Sequence, residues 1–267
     1  MKKFLVLILI SILSLGNSVF AKEKIKTIND KAGIYIFKIN TKKYGSKIKP
    51  YVSQKLQTPK KIYDDNCFDL VVNAGFFDVK TGKSVSYVTI DNKQVENVEN
   101  NETLVSNLKK QKRLKQVLSR GELRILANKK DKLKFDIARH DDPVKNGYTI
   151  KHLLQGGPII YPTIDLAGEG FVVYSNGMVK QQSADVLKRR ERTAIGLKGK
   201  YLYIVVFTKD HKVDINELSS YMKKELKIKK ALAFDGGLST AINTKDVSVG
   251  SLGKYQRKVK SFLIIER

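Results

Sequence analysis

The stretch Lys229 to Ala241, KKALAFDGGLSTA, decides how the rest of the chain is read. Ala231-Leu232-Ala233-Phe234 has the length and bounding signals of a short buried strand. It stops at Asp235-Gly236-Gly237, with Ser239 and Thr240 just beyond. A carboxylate at a strand end, two glycines and two hydroxyls make a small polar site. Glycines let backbone N–H groups approach a ligand closely, and successive amides can form an anion-binding concavity. Asp-Gly is also a favoured hairpin turn, so the stretch alone leaves both readings open.

Outward from it, Tyr201 to Phe207 (YLYIVVF) is the strongest strand pattern in the chain. Asp214-Ile215-Asn216-Glu217 is a capping-box pattern, after which Ile215, Leu218, Met222 and Leu226 recur at helical spacing. Strand 201–207, helix 215–227 and strand 231–234 form a β-α-β unit. If the two strands share a sheet they run parallel, and both end on the edge that carries Asp235 and the 208–211 loop. His211 on that rim is either an acid–base group or part of an exposed loop, as Lys209, Asp210 and Lys212 suggest.

Other apolar strands end in polar or glycine turns. Phe68 to Val72 runs into Asn73-Ala74-Gly75-Phe76-Phe77-Asp78, and Leu153-Leu154 into Gln155-Gly156-Gly157-Pro158. The second marks a fixed backbone path, set against either a ligand or another backbone. In Arg189-Arg190-Glu191-Arg192-Thr193-Ala194-Ile195-Gly196, Arg192 directly precedes the apolar residues and is the arginine expected to point inward.

The remaining elements are routine. Strands are expected at 33–40, 87–90 (with a turn at Asp91-Asn92), 122–127, 133–138, 171–174 and 258–266. One helix is expected over 104–118, its basic face solvated. The segment 42–61, broken by Pro50 and Pro59, reads as loop-rich. His140-Asp141-Asp142 precedes a proline and reads as a turn, so no metal is assigned; no cofactor motif is present either. Cys67, the only cysteine, excludes an internal disulfide and reads as a packed core thiol. The expected fold class is α+β: mixed β-sheets, a β-α-β unit near the C-terminus, and helices packed on the sheet.

Lys2 and Lys3, the apolar run Phe4 to Leu15 and the small residues around Val19-Phe20-Ala21 read as a secretory signal peptide over 1–21, cleaved after Ala21. The expectation is then one exported domain over 22–267, without a transmembrane segment in the mature chain. Lys and Arg number 51 against 26 Asp and Glu, a formal charge of +25; losing Lys2 and Lys3 leaves +23. Such a field favours anionic partners. Export and the absence of a recognition motif argue against nucleic acid.

The blocks NAGFFD (73–78), QGGPIIY (155–161), RTAIG (192–196) and AFDGGLST (233–240), in that order, resemble the phosphodiester glycosidase family. The chain departs from the family pattern at Ala74, Phe234 and Leu238. The resemblance implies a hydrolase that removes a sugar from a sugar-1-phosphodiester, in an anionic glycan of the cell envelope or outside it. It implies catalytic Asp235, Arg192 and Asn73: Asp235 at the anomeric carbon, Arg192 on the phosphate, Asn73 on sugar hydroxyls. Substrate contacts would come from Gly75, Phe76, Gly156, Gly157, Gly236, Gly237, Ser239 and Thr240. A non-catalytic protein that binds phosphate-bearing glycan is the alternative.

Overall fold

The computed structural model describes residues 25–28 and 32–267. The leader expected over 1–21 lies outside the described residues. Three sheets carry the fold, and every pair of neighbouring strands described is antiparallel. A six-stranded sheet runs Ile25–Ile28, Ile34–Asn40, Tyr201–Phe207, Arg192–Lys198, Lys230–Ala233, Ile159–Tyr161. A five-stranded sheet runs Ser248–Gly250, Ala241–Thr244, Phe68–Asn73, Val259–Glu266, Ile48–Gln57. The third runs Lys93–Glu96, Val88–Ile90, Tyr148–Gln155, Gly121–Asn128, Leu133–Arg139. With its few helices, the molecule is an α+β fold.

One large core draws on all three sheets: Ile204 and Phe37 from the first, Leu70 and Leu263 from the second, Ile125 and Leu154 from the third. Three further cores cover outer faces, the smallest around Tyr87, Val98 and Leu153. On the six-stranded sheet, Leu218 and Met222 of the helix Ile215–Lys224 pack with Val205, Phe207 and Ala231. On the second sheet, Ile62 of the helix Pro59–Asp65 packs with Val71, Phe262 and Ile264. This explains the continuous apolar strands. In YLYIVVF, Leu202, Ile204 and Val206 enter the shared core, while Tyr203, Val205 and Phe207 face the helix side. A strand covered on both faces has no polar side to alternate with.

The β-α-β reading holds in direction but not in adjacency. Tyr201–Phe207 and Lys230–Ala233 are parallel, but Arg192–Lys198 lies between them and pairs antiparallel with both. Phe207 sits opposite Arg192 and Ala233 opposite Ala194, so both strands reach one edge of the sheet.

Three local expectations are corrected. The segment 42–61 is not loop-rich: Ile48–Gln57 is a ten-residue strand. It tolerates Pro50 because it is the edge of its sheet, where a missing N–H leaves no ladder bond unmade. Pro59 occupies the first turn of a helix whose N-cap, Thr58, accepts from the Lys61 amide. The single helix over 104–118 is two, Glu102–Lys110 and Leu114–Leu118, parted at Lys112 with φ at 55°. Cys67 is exposed at the start of its strand rather than packed in a core.

Candidate active site

The Asp235 turn is fastened from two sides. Phe234 N–H donates to Thr193 O (2.8 Å) and Asp235 N–H to Ala74 O (2.8 Å), so the turn bridges the ends of strands Arg192–Lys198 and Phe68–Asn73. Asn73 completes the joint. Its amide nitrogen donates to Asp235 O (2.6 Å), and its oxygen accepts from the Thr193 hydroxyl (2.7 Å) and the Ala241 N–H (3.1 Å). Asn73 is fully buried. Its place is behind the turn, holding two sheets and the Asp235 backbone together.

The two glycines are required by fit. A Cβ on Gly236 would stand 2.9 Å from Glu191 O, and Gly237 has φ of +57°. Their amides do not form an open anion nest. Gly237 N–H donates to Glu191 O (2.8 Å), and Gly236 N–H is directed at the Asp235 carboxylate. Ser239, also buried, gives that carboxylate a hydroxyl hydrogen bond.

Asp235 opens on a cavity of about 700 Å³. Burial pushes its pKa up to about 6, against the opposing pull of the Ser239 hydroxyl, Arg257, the Gly236 N–H and Arg120. Glu191 is a second carboxylate lining this cavity, nearly buried and 3.3 Å from the Lys212 ammonium. Asp185, a third, is held below its ordinary pKa by hydrogen bonds from Arg190 and Lys188. Three cationic side chains also line it: Arg190 is paired with Asp185 (2.8 Å) and Lys212 with Glu191, while Arg257 has no carboxylate within ion-pair distance among the described residues and is the one left to meet an anion.

Of the residues singled out from sequence, Asp235, Gly236, Gly237, Ser239 and Phe76 line the cavity, and Asn73, Gly75, Gly156, Gly157, Arg192 and Thr240 do not. Gly75 and Gly156 sit where strands touch: a Cβ would meet Ser86 Cβ at 2.8 Å and Ala233 O at 2.8 Å, respectively. Gly157 donates its N–H to Ala233 O (2.9 Å). The backbone-against-backbone reading of that turn is therefore the one realised. Thr240 is fully buried, and its hydroxyl has no partner among the described residues.

Arg192 does point inward, but its guanidinium serves the backbone. Nε donates to Val213 O (3.2 Å), and one terminal nitrogen to the carbonyls of Asp185 (2.8 Å), Val186 (3.3 Å) and Lys188 (2.7 Å). It clamps the 185–188 loop that forms part of the cavity wall. His211 packs its ring against Phe207 at 5.6 Å, and the described residues hold no cluster of metal-type ligands. His140 belongs to a buried tie instead, its Nδ1 2.6 Å from Glu122 and its ring stacked on Tyr87.

Sequence reasoning passed over Arg120. It is 5% exposed and lies at the end of Leu114–Leu118, its guanidinium 4.1 Å from the ring of Phe171 and 5.3 Å from that of Phe76. Burial brings its pKa down to about 10. The cue in the sequence is slight: Arg120 is separated by Gly121 from the strand expected at 122–127, which opens on Glu122.

Fold and cavity together define a sheet-rich α+β protein with a hard-to-ionise carboxylate in a cleft lined by charges of both signs. The chain belongs to the phosphodiester glycosidase family, whose model matches residues 66–266. The fold is similar to that of the zebrafish N-acetylglucosamine-1-phosphodiester alpha-N-acetylglucosaminidase catalytic domain auto-inhibited by its pro-peptide. That match has a TM-score of 0.63 at 16% identity and covers 91% of this chain and 81% of that one. A hypothetical protein from Synechocystis is similar at TM-score 0.57 and 13% identity, covering 91% of this chain and 61% of that one. A protein from Burkholderia pseudomallei that carries the provisional name of an exported protein has TM-score 0.53 and 11% identity, with 88% and 74% covered. No curated protein matches the sequence.

Proposed function

We propose that this protein is an exported hydrolase that cleaves a sugar from a glycosyl-1-phosphodiester in a cell-envelope or extracellular glycan, with Asp235 as the reacting carboxylate. The observation that carries the reading is the cavity itself: a carboxylate with pKa raised to about 6, in a cleft also lined by Glu191 and the cationic Arg257, in a member of this family. The apolar run 4–15 followed by Val19-Phe20-Ala21 supports export, and no described helix is long and apolar enough to cross a membrane.

The chemistry follows from charge. Breaking the anomeric C–O bond passes through an oxocarbenium-like state, and the leaving phosphomonoester gains negative charge. Phosphate is a good leaving group and needs little protonation; what it needs is neutralisation, which the cavity cations supply. Ionised Asp235 acts on the positive side of the bond, as base toward water or as nucleophile at the anomeric carbon. Glu191 is the second carboxylate that glycoside chemistry ordinarily uses. Asn73 and Arg192 act at one remove, by fixing the Asp235 backbone and the 185–188 wall.

The test is release of free sugar from a sugar-1-phosphodiester. Wild type is expected to turn over with kcat/KM falling as pH drops through about 6, where Asp235 takes up its proton. Asp235→Asn is expected to lose at least a hundredfold, on the order of what a positioned acid–base group contributes. Equal turnover by the two proteins would remove Asp235 from the reaction. Tight, salt-sensitive glycan binding without any turnover would favour a non-catalytic binder.

A further inference from the structure

A second, smaller cavity of about 230 Å³ adjoins the first, and the two share Phe76, Phe77 and Ala184 in their walls. Its lining is otherwise mostly apolar, with Leu104, Leu108 and Phe171, apart from Ser183 and two arginines. Arg120 is 95% buried there. Its Nε donates to Glu169 O at 3.1 Å, and among the described residues nothing accepts from either of its terminal NH2 groups. The carboxylate that its charge attracts most, Glu169, is already engaged: one oxygen takes the Gly121 N–H (2.7 Å), the other the Ile159 N–H (2.8 Å). Arg113 lines the same cavity, and its buried Nε has no partner. The guanidinium of Arg120 thus lines the cavity with both terminal NH2 groups unengaged among the described residues, a planar fork open to an oxyanion that enters it.

We propose that Arg120 is the residue that binds the phosphate of the substrate, at the wall shared by the two cavities. This rests on the phosphodiester reading above. The rings of Phe171 and Phe76, tilted 53° to one another, flank the guanidinium at 4.1 and 5.3 Å, and the hydrogen bond at Nε restrains its rotation. Its two terminal NH2 groups are left to grip one oxyanion in bidentate fashion. Arg192, with its carbonyls, cannot present that fork to the cavity. Phe76, whose ring is 5.3 Å from the Arg120 guanidinium, lines both this cavity and the one that holds Asp235, which puts a phosphate on Arg120 next to the Asp235 cavity.

Inorganic phosphate is the probe, and its binding is measured by calorimetry and thermal shift on the full chain. Arg120→Met keeps the apolar stem and removes the charge. Ser183→Glu leaves Arg120 in place but supplies it with an internal carboxylate. Ser183 lines the same cavity, and its N–H donates to Phe171 O at 2.8 Å, beside the ring over which Arg120 lies. Wild type is expected to bind phosphate, and each variant to bind it at least tenfold more weakly while keeping its near-UV circular dichroism. If Arg120→Met fails to fold, Ser183→Glu decides. Unchanged affinity in the folded variants, or no phosphate binding by wild type, overturns the assignment. The two readings fail separately: phosphate bound through Arg120 with no sugar released sinks only the hydrolase, and full turnover in Arg120→Met sinks only the role of Arg120.

Discussion

Asp235 carries a conflict between stability and function that can be read in a titration. The unfolded chain releases this proton near 3.8, while the folded chain holds it to about 6. Between those values the native state binds more protons than the unfolded one. Stability from this group therefore falls as pH rises across that window, and stays lower above it. Asp235→Asn removes the penalty. It should raise stability by roughly 1–2 kcal/mol at pH 7 to 8 and by nothing measurable below about pH 4, as read from urea midpoints at each pH. A variant no more stable than wild type at neutral pH would mean that the carboxylate is not strained there. The Asp235 stretch alone reads equally as a hairpin turn, and it is the resemblance of four ordered blocks that singles Asp235 out. The roles of Arg192 and Arg120 were not legible that way. Both lie close to the start of a strand, and what distinguishes them is which carbonyls lie within reach, a matter of loops 185–188 and 168–171 that no local pattern encodes.

At the level of elements, local physics that is complete in the sequence was legible, and physics that depends on neighbours was not. The helix Ile215–Lys224 is announced by its capping box, and Asp214 indeed accepts from the Asn216 and Glu217 amides while Glu217 returns to the Asp214 N–H. The hairpin turn at Asp91-Asn92 shows positive φ at both residues, as its composition demands. The strand Ile48–Gln57 was obscured because a proline is neutral only on a sheet edge, and edges are a property of the assembled sheet. The capping box also bears on the site, since Val213, just before the cap, accepts from Arg192 and exchanges two backbone hydrogen bonds with Arg190. Asp214→Ala should cost about 1 kcal/mol of stability, the usual value of an N-cap. Because the same change loosens the anchor of the 190–192 segment, KM for a phosphodiester should rise while kcat holds. Both effects are checked by a denaturant midpoint and a steady-state profile; a fall in kcat alone would place the cap's influence on Asp235 instead.

At the scale of the molecule, three sheets sharing one core leave their loops to converge at a sheet edge, and the charge on the remaining surface is overwhelmingly basic. Those two facts make separable contributions. On the proposed function, the cavity cations act at contact distance on one phosphate. The dispersed lysines, by contrast, act through solvent, where the field falls off over a Debye length of about 10 Å at 0.1 M salt. Surface charge of this size steers long anionic chains toward the protein and does little for a small diester once it has arrived. Raising salt from roughly 0.05 to 0.5 M should therefore lower kcat/KM for a polymeric phosphoglycan by about tenfold or more. For a small sugar-1-phosphodiester it should lower kcat/KM by no more than about threefold, since a contact ion pair partly buried in the cavity is screened far less. The comparison isolates the field of the basic surface, because both substrates present the same bond to Asp235. Equal salt sensitivity for the two would assign the basic surface to some other partner than the substrate, and would leave catalysis to the cavity charges alone.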